Sequence, residues 1–133
     1  QMEGILKRIA YIEDVPNFMR ILSGLIITSN YEGMPIVSIE AMSMSIPILS
    51  TDVGDLRRFL EKTHGGMIID EKQKDIENFD VFRNNLDIYA QNAKKHATET
   101  LEFFSSDIVA KKYVDSFEKA MHAYKNICES NRE

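Results

Sequence analysis

The 133-residue sequence has one cysteine, no excess of basic charge, no long apolar run and no internal repeat or low-complexity tract. Cys128 has no second cysteine with which to close an intramolecular disulfide, and near the chain end it reads as a helix residue in a reducing compartment. The formal net charge of -5 removes the electrostatic footprint that nucleic acid or an anionic lipid surface requires, so no nucleic-acid partner is expected. A single diphosphate held by backbone amides stays compatible with that charge. The longest apolar segments, such as Gly24 to Thr28, fall far short of the ~20 residues a membrane-spanning helix needs. No charged-then-apolar leader opens the sequence, so a cytoplasmic location is expected, with membrane-peripheral placement of the full-length protein as its variant. Gln1 ahead of Met2 fits either an expression scar or a piece cut from a longer chain, and both stay open. His64, His96 and His122 share no metal-ligand spacing with Cys128; they read as loop or helix-surface residues, and neither a metal nor another cofactor is expected.

What is present is the 44% apolar and 28% charged composition of a soluble globular chain long enough to bury a core. The segment Arg8 to Pro16 reads as a strand that ends in a loop, with Pro16 opening a short helix through Phe18, Met19, Ile21 and Leu22. Leu25 to Ser29 is a continuous apolar run, as expected of a strand covered on both faces. A loop over Asn30 to Met34 follows, then a helix from about Pro35 to Ser45 and a second buried strand from Ile46 to Thr51. Gly54 opens a turn, Leu56, Phe59 and Leu60 form a short helical face, and Met67 to Asp70 reads as a brief strand. The polar stretch Glu71 to Asp80 reads as a connection. Two helical stripes follow, one through Leu86, Tyr89, Ala90, Ala93 and Ala97, the other through Val109, Tyr113, Phe117, Ala120, Met121 and Tyr124 with Ser106 or Asp107 as N-cap. Each stripe predicts one buried side. Alternating strands and helices with short connections predict an α/β fold, a Rossmann-like parallel sheet with helices on both faces. About four strands are visible where a complete doubly wound domain has five or six, so the first βαβ segment is expected to be missing. An uncovered strand edge or sheet face would then favour self-association.

Residues 30 to 36 lie where ligands bind in such sheets, beyond the carboxyl end of a strand and at the start of the next helix. With Pro35 at the first helical position, the amides of Ile36, Val37 and Ser38 lack intrahelical partners and add to the positive end of the helix dipole, a natural seat for phosphate. Glu40 lies roughly 5 to 6 Å further along the helix at ~1.5 Å rise per residue, and Glu32 lies in the loop before it. Carboxylates repel phosphate, so both suit hydroxyl groups instead. A nucleotide diphosphate sugar meets every requirement: Glu40 on ribose, Glu32 on the sugar, and Gly33 allowing close backbone approach. On spacing alone the bland account is preferred, with Glu32 a helix-start acid and Glu40 a solvated face residue.

The whole string shifts that balance. Glu32, Gly33, Met34, Glu40, Ala41, Met42 and Pro47 resemble the donor-binding signature of the GT-B fold retaining glycosyltransferases of family 4, the glycosyl transferases group 1, in which two glutamates flank seven residues. The segments Tyr11 to Ser29, His64 to Asp70 and Phe103 to Tyr124 resemble the neighbouring parts of that domain. Ser45 stands where that family has glycine, and Asp55 and Arg58 stand where it often has glycine and glutamate, so slightly different turns are expected there. The resemblance implies that residues 1–133 are one partial C-terminal nucleotide-sugar-binding domain, with the N-terminal acceptor domain and the family's phosphate-clamping arginine and lysine outside it. It implies that Glu32 contacts the transferred hexosyl group near the reacting centre, that Glu40 binds ribose, and that Gly33, Met34, Ile36 and Val37 complete the donor site. The expected partners are a nucleotide-sugar donor and a glycan or lipid-linked acceptor, with no turnover by this piece alone. A GT-B nucleotide-sugar epimerase and a non-catalytic nucleotide-sugar-binding module are the competing readings.

Overall fold

Three short parallel strands carry the fold in the computed structural model, which describes residues 6–70, 72 and 74–130, with side chains described as far as residue 125. Gln1, Met2 and the side chain of Cys128 lie outside the described residues. The element order is α1 (Val15–Met19), β1 (Leu25–Ile27), α2 (Ile36–Ser43), β2 (Ile48–Ser50), α3 (Leu56–Thr63), β3 (Gly66–Ile68), α4 (Asp75–Asn84), α5 (Leu86–Phe103) and α6 (Ser106–Ser130). The sheet order is β1-β2-β3, with Leu25, Ile26 and Ile27 level with Ile48, Leu49 and Ser50, and these level with Gly66, Met67 and Ile68. The chain is an α/β protein, as the alternation of apolar runs predicted. It divides into two compact units, Gln1–Ala97 and Thr98–Glu133.

The central strand β2 is buried along its length, with a ladder on each side, α2 packed against it and Ile48 in the apolar core. Met42, Ile48 and Leu56 are fully buried and join α2, β2 and α3 in one core with Met19, Ile27, Leu60 and Ala93. β1 departs from expectation: Ile26 is 47% exposed, so the face of the strand to which it points is not covered among the described residues. The strand expected at the start of the segment Arg8 to Pro16 is absent; these residues have no ladder, and Tyr11 is 81% exposed. A strand exists through its hydrogen-bonded partner, and no described residue supplies a second edge for this one.

The helices follow local rules. Asp14 caps α1 by accepting from the Asn17 amide at 3.1 Å, with Pro16 in the first turn. α2 ends in a Schellman motif: the Ile46 amide donates to Ala41 O at 2.9 Å and the Ser45 amide to Met42 O at 3.0 Å. Ser45 occupies the left-handed position of that motif, with φ 64°. The stretch Glu71 to Asp80, expected to be a connection, holds the start of α4 from Asp75 onward. Asp75 and Glu77 complement its positive end, and buried Asn78 ties it to the segment after β3 by accepting from the Asp70 amide (2.8 Å) and donating to Asp70 O (3.0 Å). Its polar surface hid a helix whose buried residues are only Asn78 and Phe82.

The α5 stripe behaves as expected, with Ala93 buried and Leu86, Tyr89, Ala90 and Ala97 half-buried. The α6 stripe does not. Tyr113, Phe117, Met121 and Tyr124 are exposed, so its periodicity marks an apolar face whose cover is not made within its own unit. Among the described residues no helix is long and apolar enough to cross a membrane.

Ser45 and Ile48 give opposite predictions. A Cβ in the left-handed region costs about 1–2 kcal/mol, while glycine loses about 0.5–1 kcal/mol through its unfolded-state freedom. Ser45→Gly is therefore expected to stabilise by about 0.5–1 kcal/mol, and Ile48→Ala to destabilise by about 2–5 kcal/mol through its cavity. Urea-unfolding midpoints of the protein measure both.

Candidate functional site

The β1–α2 loop is held from below by the β2–α3 loop. Thr51 donates its amide to Ile27 O (3.0 Å) and its hydroxyl to Ser29 O (2.7 Å), which fixes the chain as it leaves β1. The Asp55 amide donates to Gly33 O at 3.0 Å. Between these two anchors lies Gly54, with φ 52°, where a Cβ would fall 1.7 Å from Gly33 O and 2.6 Å from Glu32 O. Only glycine permits both the left-handed turn and this backbone approach.

On that support stand the residues singled out from the sequence. Glu32 is exposed, and its Oε1 accepts from the Ser29 hydroxyl at 3.0 Å. Gly33 is exposed, and a Cβ there would meet nothing within 4 Å, so its outer side is open. Met34 and Val37 face the other way, half-buried against the core. Pro35 is buried and is the N-cap of α2, with ψ 118°, rather than its first helical residue. The boundary moves because the extended ψ lets the ring pack inward while the helix begins at Ile36. This also corrects the set of bare amides. Ser38 donates to Pro35 O (3.0 Å), which leaves Ile36 and Val37 with no backbone acceptor among the described residues. No side chain caps this end, since proline has none to offer.

Ile36 is 70% exposed, so the first turn of α2 opens to solvent and is not sealed in the interior. Glu40, four residues on, shares that exposed face, while Ser38, Ala41 and Met42 face inward. Buried Ser38 satisfies its hydroxyl on Pro35 O at 2.6 Å. One helix start thus has two open amides, an acid before it and an acid one turn into it. The arrangement can receive an anion at the amides and hydroxyl groups at the carboxylates.

A groove of about 480 Å³ opens at the carboxyl ends of β2 and β3, lined by Asp52, Arg57, Ile68, Ile69, Asp70 and Lys72. None of the residues predicted for the donor site lines it. Arg57 is already committed there to Asp52, at 2.7 Å. Among the described residues no group of three His, Cys, Asp or Glu side chains could hold a metal ion. His64 ends α3 in the left-handed conformation, a backbone role.

Comparison with known proteins gives this geometry a family. The family model described as glycosyl transferases group 1 matches residues 5–80, more than half of the chain. The chain belongs to the glycosyl transferases group 1 family. The Vi polysaccharide biosynthesis protein VipC/TviE of Salmonella typhi is 34% identical over 73 residues, which are 53% of this chain and 13% of that protein. The chain therefore spans only a small part of the curated relative it matches. No solved structure matches it significantly. The group 1 match spans both loops and the whole of α2. The residues that support the loop, Ser29 and Thr51, were not singled out from the sequence. For Gly54 the sequence signals only a turn, through a glycine shortly after a buried strand.

Gly54→Ala is expected to destabilise the protein by at least about 2 kcal/mol, because positive φ costs about 1–3 kcal/mol and the methyl collides with Gly33 O. Thermal unfolding should show the loss.

Proposed function

We propose that this chain is the partial C-terminal donor-binding domain of a GT-B retaining glycosyltransferase of the family 4 type. The observation that carries the reading is the exposed start of α2, where the free amides of Ile36 and Val37 stand between Glu32 and Glu40. Family membership supports glycosyl transfer, and the relative's printed role in Vi polysaccharide biosynthesis supports a glycan or lipid-linked acceptor. The full-length enzyme works in the cytoplasm or at the membrane periphery, with an N-terminal domain binding the acceptor.

The donor is a nucleotide diphosphate sugar. Its diphosphate takes the Ile36 and Val37 amides and the positive end of α2, Glu40 accepts hydrogen bonds from ribose, and Glu32 accepts from the hexose, which lies against the open side of Gly33. In transfer, an acceptor hydroxyl oxygen bonds to the anomeric carbon on the face the diphosphate leaves, and the carbon–oxygen bond to diphosphate breaks. The acceptor's proton passes to the departing diphosphate oxygen, so neither glutamate serves as general base. Preorganised amides stabilise the charge that gathers on the leaving group. No step requires a metal.

The test is a screen of UDP-, GDP- and ADP-hexoses for binding and hydrolysis by the full-length protein. Losing hydrogen bonds to a carboxylate is worth about 1.5–3 kcal/mol, so Glu40→Ala should weaken nucleotide binding about tenfold to a hundredfold. Glu32→Ala should lower turnover by a similar factor with little change in nucleotide affinity. Wild-type binding and rates in both variants remove the assignment.

A further inference from the structure

Glu32 projects from an exposed loop, where a free glutamate side chain has many rotamers to lose before it can address a sugar. Here one of its oxygens is already held. The Ser29 hydroxyl donates to Oε1 at 3.0 Å, and among the described residues nothing else hydrogen-bonds the carboxylate. Ser29 is itself fixed from the neighbouring strand, since its carbonyl accepts from Thr51 Oγ1 at 2.7 Å and the Thr51 amide is tied to Ile27 O at 3.0 Å. Ser29 and Thr51 are both half-buried, so this chain of contacts runs from the end of β2 out to the exposed acid.

We propose that Ser29 and Thr51 are positioning residues for Glu32: Thr51 sets the Ser29 backbone, and Ser29 holds Oε1, which fixes the plane of the carboxylate presented to the donor hexose. The inference rests on the reading of Glu32 as the residue that contacts the transferred sugar. A serine hydroxyl facing a carboxylate has one polarity available, donor to acceptor, so the contact orients the acid without competing for the substrate hydroxyls it must accept from. Misplacement of a group at a reacting centre acts on turnover before affinity. Ser29→Ala and Thr51→Val should therefore lower the turnover number while leaving the donor KM in place.

The experiment measures donor hydrolysis by the full-length protein, with a hexose nucleotide that it turns over, for Ser29→Ala, Ser29→Thr, Thr51→Val, Thr51→Ser, Glu32→Ala and the double variant Ser29→Ala/Glu32→Ala. Expected are a fall of about tenfold in kcat for Ser29→Ala at unchanged KM and unchanged melting temperature, and recovery in Ser29→Thr and Thr51→Ser. In the double variant the serine change should add no further loss, because its effect passes through Glu32. Wild-type kcat in both Ser29→Ala and Thr51→Val overturns the inference, as does a full additional loss in the double variant. If Ser29→Ala fails to fold, Thr51→Val against Thr51→Ser makes the same comparison. Wild-type turnover in Glu32→Ala removes the underlying reading, and this inference with it; a slow Glu32→Ala beside a normal Ser29→Ala and a normal Thr51→Val removes the inference alone.

Discussion

The contact between two loop backbones, Gly54 against Gly33, is the constraint on which the rest of the site depends. Parallel strands bring their carboxyl ends to one edge of the sheet, so the segments leaving β1 and β2 emerge side by side. Side chains at that point would hold them apart. Gly54 removes the obstacle, and the Asp55 amide then reaches Gly33 O while Thr51 reaches back to Ser29 and Ile27. A loop that carries an exposed acid and an exposed glycine is thereby held in place from the neighbouring β2–α3 loop.

The same helix serves the core and the site without conflict because its faces are divided. Ala41 and Met42 are buried in the core that α2 shares with β2, and Ser38 is buried with its hydroxyl satisfied on the Pro35 carbonyl. Ile36 and Glu40 face solvent on the other side. Pro35 links the two functions, with its ring packed inward and its extended backbone leaving the first amides of the helix open. Burial fixes the helix axis, and the unsatisfied amides at its start follow from how a helix begins.

Much of the architecture was legible in residue patterns. The runs through Leu25, Ile48 and Met67 mark three strands because parallel strands of α/β folds are written as continuous apolar segments, although only β2 is buried along its length. Helix α4 was illegible for the opposite reason: its inward side is Asn78 and Phe82, and a buried asparagine that binds backbone leaves no apolar periodicity. The strand expected at the start of the segment Arg8 to Pro16 failed because composition records the tendency to extend but not the presence of an edge to pair with. In α6 the stripe through Tyr113 and Phe117 marks a helix face but not a buried one, since periodicity does not say what covers it. At the candidate site, Glu32, Gly33 and Glu40 stood out by spacing and by resemblance. Ser29 and Thr51 did not, because a hydroxyl that matters through one hydrogen bond looks like any other serine or threonine.

Local chemistry written into the chain determined that a helix follows Pro35, that a turn opens at Gly54, and which acids flank the helix start. Proline, glycine and hydrogen-bonding side chains act over a few residues, so their effect is readable in order along the chain. Tertiary structure alone decided that Thr51, twenty-two residues away, anchors Ser29, and that Gly54 lies on Gly33. Those contacts depend on parallel pairing of β1 with β2, a long-range register that no short window of sequence contains.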